Sequence, residues 1–138
     1  FPMVRLGGLI DLSHGGLCEF ATSDMGKSEL HNHKQLEDQL QEGDVFIADR
    51  LYSSYELIQR LSDRGIHFVG RTHQARKIDF SKGVRISANE RLVTWTKPRR
   101  IPKGSSLSAA EWEALPDQLQ VRLIRCKGPD RQSKQRTR

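Results

Sequence analysis

Three features of the sequence predict an α/β chain that runs into an antiparallel β-rich section. The apolar run VFIA, residues 45–48, has helical periodicity on both sides, the layout of a strand covered by helices. After residue 73 the texture changes to short β-like pieces separated by turn residues. The charge reverses at nearly the same place: through Gly70 there are 6 Lys/Arg against 11 Asp/Glu, net −5, and from Arg71 onward 17 against 6, net +11. These two signals divide the chain into residues 1–73 and 74–138.

The elements follow in order. MVRLGGLIDL (3–12) is rich in branched apolar residues, SHGG supplies turn chemistry and LCEFATSD resumes an extended pattern, which together read as a hairpin. In KSELHNHKQLEDQLQEGD (27–44), Leu30, Leu36 and Leu40 fall on roughly one side of a helix that Gly43 stops. VFIADR is then expected as an interior strand of a layered sheet. Ser53 and Glu56 fit an S-x-x-E capping box opening the next helix, whose buried stripe is Leu57, Ile58 and Leu61 and whose end is Gly65. IHFVGR is the strand after it. In the second section RKIDF, VRISA and RLVTWTK are the β-like pieces and PRRIPKGSS is a loop. Ser108 and Glu111 form a second capping box on a short helix closed by Pro116, and LQVRLIRCK is a final strand with alternating apolar residues.

With 138 residues, 36% of them hydrophobic, the chain has about one domain's length and a modest core. It opens on Phe1 already in a strand pattern and closes in the polar basic run KGPDRQSKQRTR, so it reads as an internal piece of a longer protein. There is no apolar stretch of about 18 residues and no signal-peptide layout, which excludes a helical membrane span. Cys18 and Cys126 have no C-x-x-C spacing and are expected as buried free thiols in a reducing cytoplasm. His31 and His33 form an H-x-H without a third ligand nearby, so solvent exposure is expected. The basic second half suits a polyanion, and nucleic acid fits best.

Asp49 is the residue on which the function turns. Val45 to Ala48 place it at the C-terminal edge of a sheet, where functional groups of open α/β folds gather. A carboxylate there can hold a hard divalent cation if other carboxylates join it. Otherwise it caps the next helix or pairs with Arg50.

GDVFIADRLYSSYELIQRL followed by GIHFVGRTHQARKIDF closely resembles the middle of bacterial insertion-sequence transposases of the DDE type, in the subgroup with a β-strand insertion in the catalytic domain. The resemblance spans nearly the whole chain. FPMVRLGGLIDLSHGG looks like the family's second and third core strands, and ALPDQLQVRLIRC like a late insertion strand. It implies an RNase H-like mixed sheet with flanking helices plus an antiparallel β-rich insertion, incomplete at both ends. It also implies that Asp49, in the strand-ending ADR, is the second of three catalytic metal acids. The chemistry implied is two-metal phosphoryl transfer with Mg²⁺, or Mn²⁺, on double-stranded DNA at transposon ends and target sites, by a homodimer in the bacterial cytoplasm and nucleoid. The family's other acids, an Asp ending the first core strand and a Glu within Tyr-x2-Arg-x3-Glu-x6-Lys, have no match here. This piece is therefore expected to be inactive alone. Asp11 is the best internal substitute, though an acid at a hairpin end commonly serves the turn; Glu90, Glu111 and Glu113 are weaker.

Candidate DNA contacts follow from the same resemblance and from the basic half. Arg50 lies beside the metal acid and either meets the scissile phosphate or neutralises Asp49. Arg71 ends the FVGR strand, with Arg76 and Lys77 extending its patch. Lys97, Arg99, Arg100 and Lys103 form a basic loop around two prolines. Trp95 is expected to pack into the insertion's small core rather than to stack on an extruded base. The competing readings are an RNase H-like nuclease without strand transfer, a catalytically dead transposase-derived DNA-binding protein, and a small RNA-binding module on the basic half.

Overall fold

The computed structural model describes residues 3–27, 29–73, 76–105 and 107–126, without the Leu30 side chain; the basic run 127–138 and the QA of RTHQARK lie outside that set. The chain divides into two compact units, Phe1–Arg76 and Lys77–Arg138.

The first unit opens with the expected hairpin. Strand β1 (Val4–Asp11) pairs antiparallel with β2 (Gly16–Asp24), from Val4↔Asp24 to Asp11↔Gly16, with a bulge between Leu9 and Ile10. Helix α1 (Glu29–Leu36) lies on this hairpin. Gly7 permits the close approach, since a Cβ there would stand 3.2 Å from Asn32 Cβ. The helix ends sooner than the leucine pattern predicts, and a 3₁₀ turn, Glu37–Gln39, takes over. The reason is Arg64, whose guanidinium donates to Glu37 O at 3.1 Å and Leu40 O at 2.7 Å. A distant side chain thus satisfies carbonyls that further helical turns would have used.

Strand β3 (Val45–Ala48), helix α2 (Tyr55–Asp63) and strand β4 (His67–Gly70) form a β-α-β unit, the strands parallel from Val45↔His67 to Ala48↔Gly70. A 3₁₀ turn at Arg50–Tyr52 moves the start of α2 one residue beyond the predicted capping box. Ser54 is the cap, its Oγ accepting from Leu57 N at 3.2 Å, while Ser53 is buried and donates to Arg50 O at 3.0 Å. Leu57, Ile58 and Leu61 are buried as predicted. Leu40, Leu57, Leu61 and Ile66 form the core, with Leu9, Phe46, Tyr52 and Phe68 packed against it. One expectation fails: among the described residues β3 pairs with β4 alone, so it is an edge strand, and β1 pairs with β2 alone.

The second unit is a three-stranded antiparallel sheet in the order β5 (Val84–Ser87), β6 (Glu90–Thr96), β7 (Gln118–Ile124). RKIDF is not a strand, because Asp79 Oδ1 accepts from Ser81 N at 3.0 Å and turns the chain. Helix α3 (Ala109–Ala114) has the predicted box complete: Ser108 Oγ accepts from Glu111 N, and Glu111 Oε2 accepts from Ser108 N. Trp112 and Leu119 are buried, and Trp95, opposite Leu119 in the sheet, is half-buried. Both cysteines are exposed, against expectation; Cys18 alternates with the inward-facing Glu19 and Ala21 and so falls on the outer face of the hairpin.

Candidate functional site at the groove beside Asp49

Asp49 follows the last residue of β3 in extended conformation, φ −76° and ψ 173°, before the chain tightens into the 3₁₀ turn closed by Tyr52 N donating to Asp49 O at 3.0 Å. Its carboxylate is exposed, makes no capping hydrogen bond, and forms no ion pair with any described residue. The Arg50 ion pair considered from sequence therefore does not form.

Asp49 borders a groove of about 280 Å³ between residues 5–9 of β1, the inner face of α1 and residues 46–48 of β3. Three buried polar atoms on its walls lack hydrogen-bond partners: Arg5 Nε, Asn32 Oδ1 and His33 Nε2. Glu29, the other carboxylate lining it, is held by Arg5 Nη1 at 3.2 Å. Burial, reinforced by the Glu29 charge, pushes the Tyr52 phenol up.

The wall behind the groove is organised by a residue pair with no clear mark in the sequence. Glu37 is buried, and its two oxygens accept from Arg60 Nε and Nη2, each at 2.7 Å. Burial pushes this carboxyl up, but the Arg60 hydrogen bonds and the surrounding positive charges outweigh it and hold it below its ordinary 4.5. His33, expected in solvent, is instead buried and stacked on Phe46, centroids 5.0 Å apart, with Tyr52 at its edge. Burial, helped by the Arg60 charge and opposed by Glu37, drives its pKa below 6.5. Its Nε2 lies 3.5 Å from Glu37 Oε2 without hydrogen-bond geometry. The i,i+4 spacing of His33 and Glu37 was the one signal of this pair along the chain.

Three of the other candidate acids are committed elsewhere. Asp11 serves its turn, accepting from Ser13 N at 2.7 Å and pairing with His14 at 2.9 Å. Glu90 pairs with Arg122 at 2.8 Å, and Glu111 caps α3. Among the described residues no three His, Cys, Asp or Glu side chains come together as a metal site.

The family model for the transposase DDE domain matches residues 1–136. The chain belongs to the transposase DDE family. No curated protein and no solved structure matches it. The mixed α/β architecture is accordingly that of an RNase H-like DDE domain, a family that acts on DNA and generally uses divalent metal ions. No helix among the described residues is long and apolar enough to cross a membrane.

The basic residues of this DDE chain are placed unequally. Arg50 and Arg71 in the first unit, and Lys77, Arg99, Arg100 and Lys103 in the second, are exposed. Arg76 is half-buried, and burial lowers its pKa. Lys97 is turned inward with its side chain 10% exposed, donating to Leu115 O at 2.6 Å and Glu113 O at 3.2 Å and pairing with Asp117. It closes the C-terminus of α3 instead of facing a solvent-borne partner.

Proposed function

We propose that this DDE chain supplies the central part of an enzyme that cleaves and transfers DNA strands at transposon ends, with Asp49 as the middle metal-binding acid. The observation that carries this reading is the free carboxylate of Asp49 at the end of β3, opening onto the groove. A lone hard oxygen donor fits Mg²⁺ or Mn²⁺ as one ligand and does not make a site, so no catalytic step is assigned to these residues alone. The groove supports completion by another strand. Among the described residues β1 and β3 each keep an unpaired edge beside it, and its walls hold three buried polar atoms without partners. A strand laid there would answer both edges with backbone hydrogen bonds and bring its own terminal acid next to Asp49. Double-stranded DNA is the partner, with Arg50, Arg71, Lys77, Arg99, Arg100 and Lys103 as phosphate contacts. Arg76 and Lys97 drop from that set because they are partly or wholly turned inward. A homodimeric synapse belongs to the same proposal and rests on the family alone.

With no second acid beside Asp49 to complete a metal site among the described residues, a second reading is a transposase-derived protein that binds DNA without cutting it. Reading the coding DNA on both sides of this segment separates the two. An in-frame strand-ending Asp upstream and a Tyr-x2-Arg-x3-Glu-x6-Lys pattern downstream are expected. Stop codons or unrelated sequence would leave binding as the remaining role.

A further inference from the structure

We infer that Arg91 and Arg125, set over the Phe80 ring, form a phosphate-binding site for the DNA backbone on the second unit, an inference that rests on the DNA-binding reading above. The guanidinium carbon of Arg91 lies 4.8 Å from the Phe80 ring centroid and that of Arg125 lies 4.0 Å from it. One ring therefore gathers two cations, and a third is set beside them by the sheet register, where Arg85 on β5 is the direct partner of Arg91 on β6. Like charges directly opposite each other in a sheet are destabilising. The contacts of Arg91 with the Phe80 ring and the Ser87 and Glu90 carbonyls hold that one side chain and do not offset the repulsion among the three.

The nearby acids do not offset them. Asp79 is engaged by Ser81 and Lys82, and Glu90 by Arg122. Among the described residues no carboxylate pairs with Arg85, Arg91 or Arg125. The site is also held ready: Arg91 Nη1 donates to Ser87 O at 2.8 Å and Glu90 O at 2.9 Å, and Arg125 N donates to Asn89 O at 2.8 Å. Over the ring face, the Arg125 guanidinium can offer two in-plane N–H groups to a phosphate, while Arg91, whose Nη1 is held by Ser87 O and Glu90 O, has Nη2 left for a phosphate oxygen. Two cations gathered on one ring, with Arg85 opposite Arg91 in the sheet, match a polymer of phosphates better than a single small anion.

The test is the salt dependence of binding by the 138-residue chain to a random-sequence DNA duplex. Arg125 is exposed and its guanidinium carbon lies over the Phe80 ring, so Arg125→Ala removes a surface side chain and is expected to leave the fold intact. In a plot of log K against log salt, the slope falls by about 0.9 for each phosphate the protein no longer neutralises. The expected result is a decrease of about 1 for Arg125→Ala and about 2 for Arg91→Ala with Arg125→Ala. Arg125→Lys, which keeps the charge but not the fork, retains the slope and binds more weakly. An unchanged slope in Arg125→Ala, while Lys103→Ala reduces it, would overturn this site and leave the DNA-binding reading standing. Failure of the unsubstituted chain to bind the duplex at all would overturn both.

Discussion

Replacing Glu37 by alanine removes the carboxylate that organises the wall behind the Asp49 groove. Both of its oxygens take hydrogen bonds from Arg60 at 2.7 Å, and Oε1 lies 3.7 Å from Arg64 Nη1. The Glu37 side chain is 5% exposed, whereas Arg60 is 33% and Arg64 36% exposed. After the substitution both guanidiniums can therefore turn partly to water. Truncating one partner of a fully buried pair costs about 3–5 kcal/mol, and an exposed pair is worth less than about 1 kcal/mol. With the anion buried and its main cation a third exposed, the expected loss is about 2–3 kcal/mol. For a urea dependence of about 1–2 kcal/mol per molar, the unfolding midpoint followed by far-ultraviolet circular dichroism falls by at least about 1 M. Glu37→Gln, which keeps one acceptor and loses the charge, falls between. In a double-mutant cycle with Arg60→Ala, the losses are non-additive by about 2 kcal/mol. A Glu37→Ala loss under about 0.5 kcal/mol, or additive losses in the cycle, would show that this pair does not act as a buried one.

His33 gives the chain a pH dependence of definite sign. Its folded pKa lies below 6.5, so as the pH drops past 6.5 the unfolded chain takes up the proton first. Stability then declines by up to about 1.4 kcal/mol per pH unit until the lower folded pKa is reached, and is unaffected by this group above 6.5. His33→Phe keeps a ring against Phe46 and flattens that window; an unchanged pH profile would show that another group titrates there. Glu37 adds a separate loss as the pH falls below 4.5, and Glu37→Gln removes it. Lys97→Met takes away the donor to the last carbonyls of α3 and costs about 1–2 kcal/mol by thermal or urea unfolding, without altering the salt slope for DNA. A slope change of about 1 in that variant would return Lys97 to the DNA-contacting set.

The parts of the fold legible in the sequence are those fixed by local chemistry. The hairpin follows from SHGG, where Gly15 takes φ +72°, and the α3 capping box needs only Ser108 and Glu111. VFIA and HFVG become strands because a helix with a clear apolar stripe lies between them. What the sequence hides depends on partners far along the chain. Arg64 shortens α1 from 24 to 27 residues away, and Arg60 reaches Glu37 across 23. The Ser53 box and the Ser54 cap differ by one position, and only the 3₁₀ turn after Asp49 decides between them. His33 is buried because Phe46 and Tyr52 meet it from other elements, although the residues beside it on its own helix are polar. Lys97 sits in a basic run yet points inward, since the end of α3 lies beside it with open carbonyls. Of the candidate site, position and residue type single out Asp49 in the sequence. The groove beside it, with its orphaned atoms, is visible only in three dimensions.

Whether Asp49 holds the metal is decided most sharply by Mg²⁺-dependent nicking of transposon-end DNA by the longer protein that carries this segment, measured with Asp49 intact and as Asp49→Ala. The expected result is that nicking is abolished with Mg²⁺ and with Mn²⁺ while DNA binding is retained. Full nicking by Asp49→Ala would remove Asp49 from the metal site.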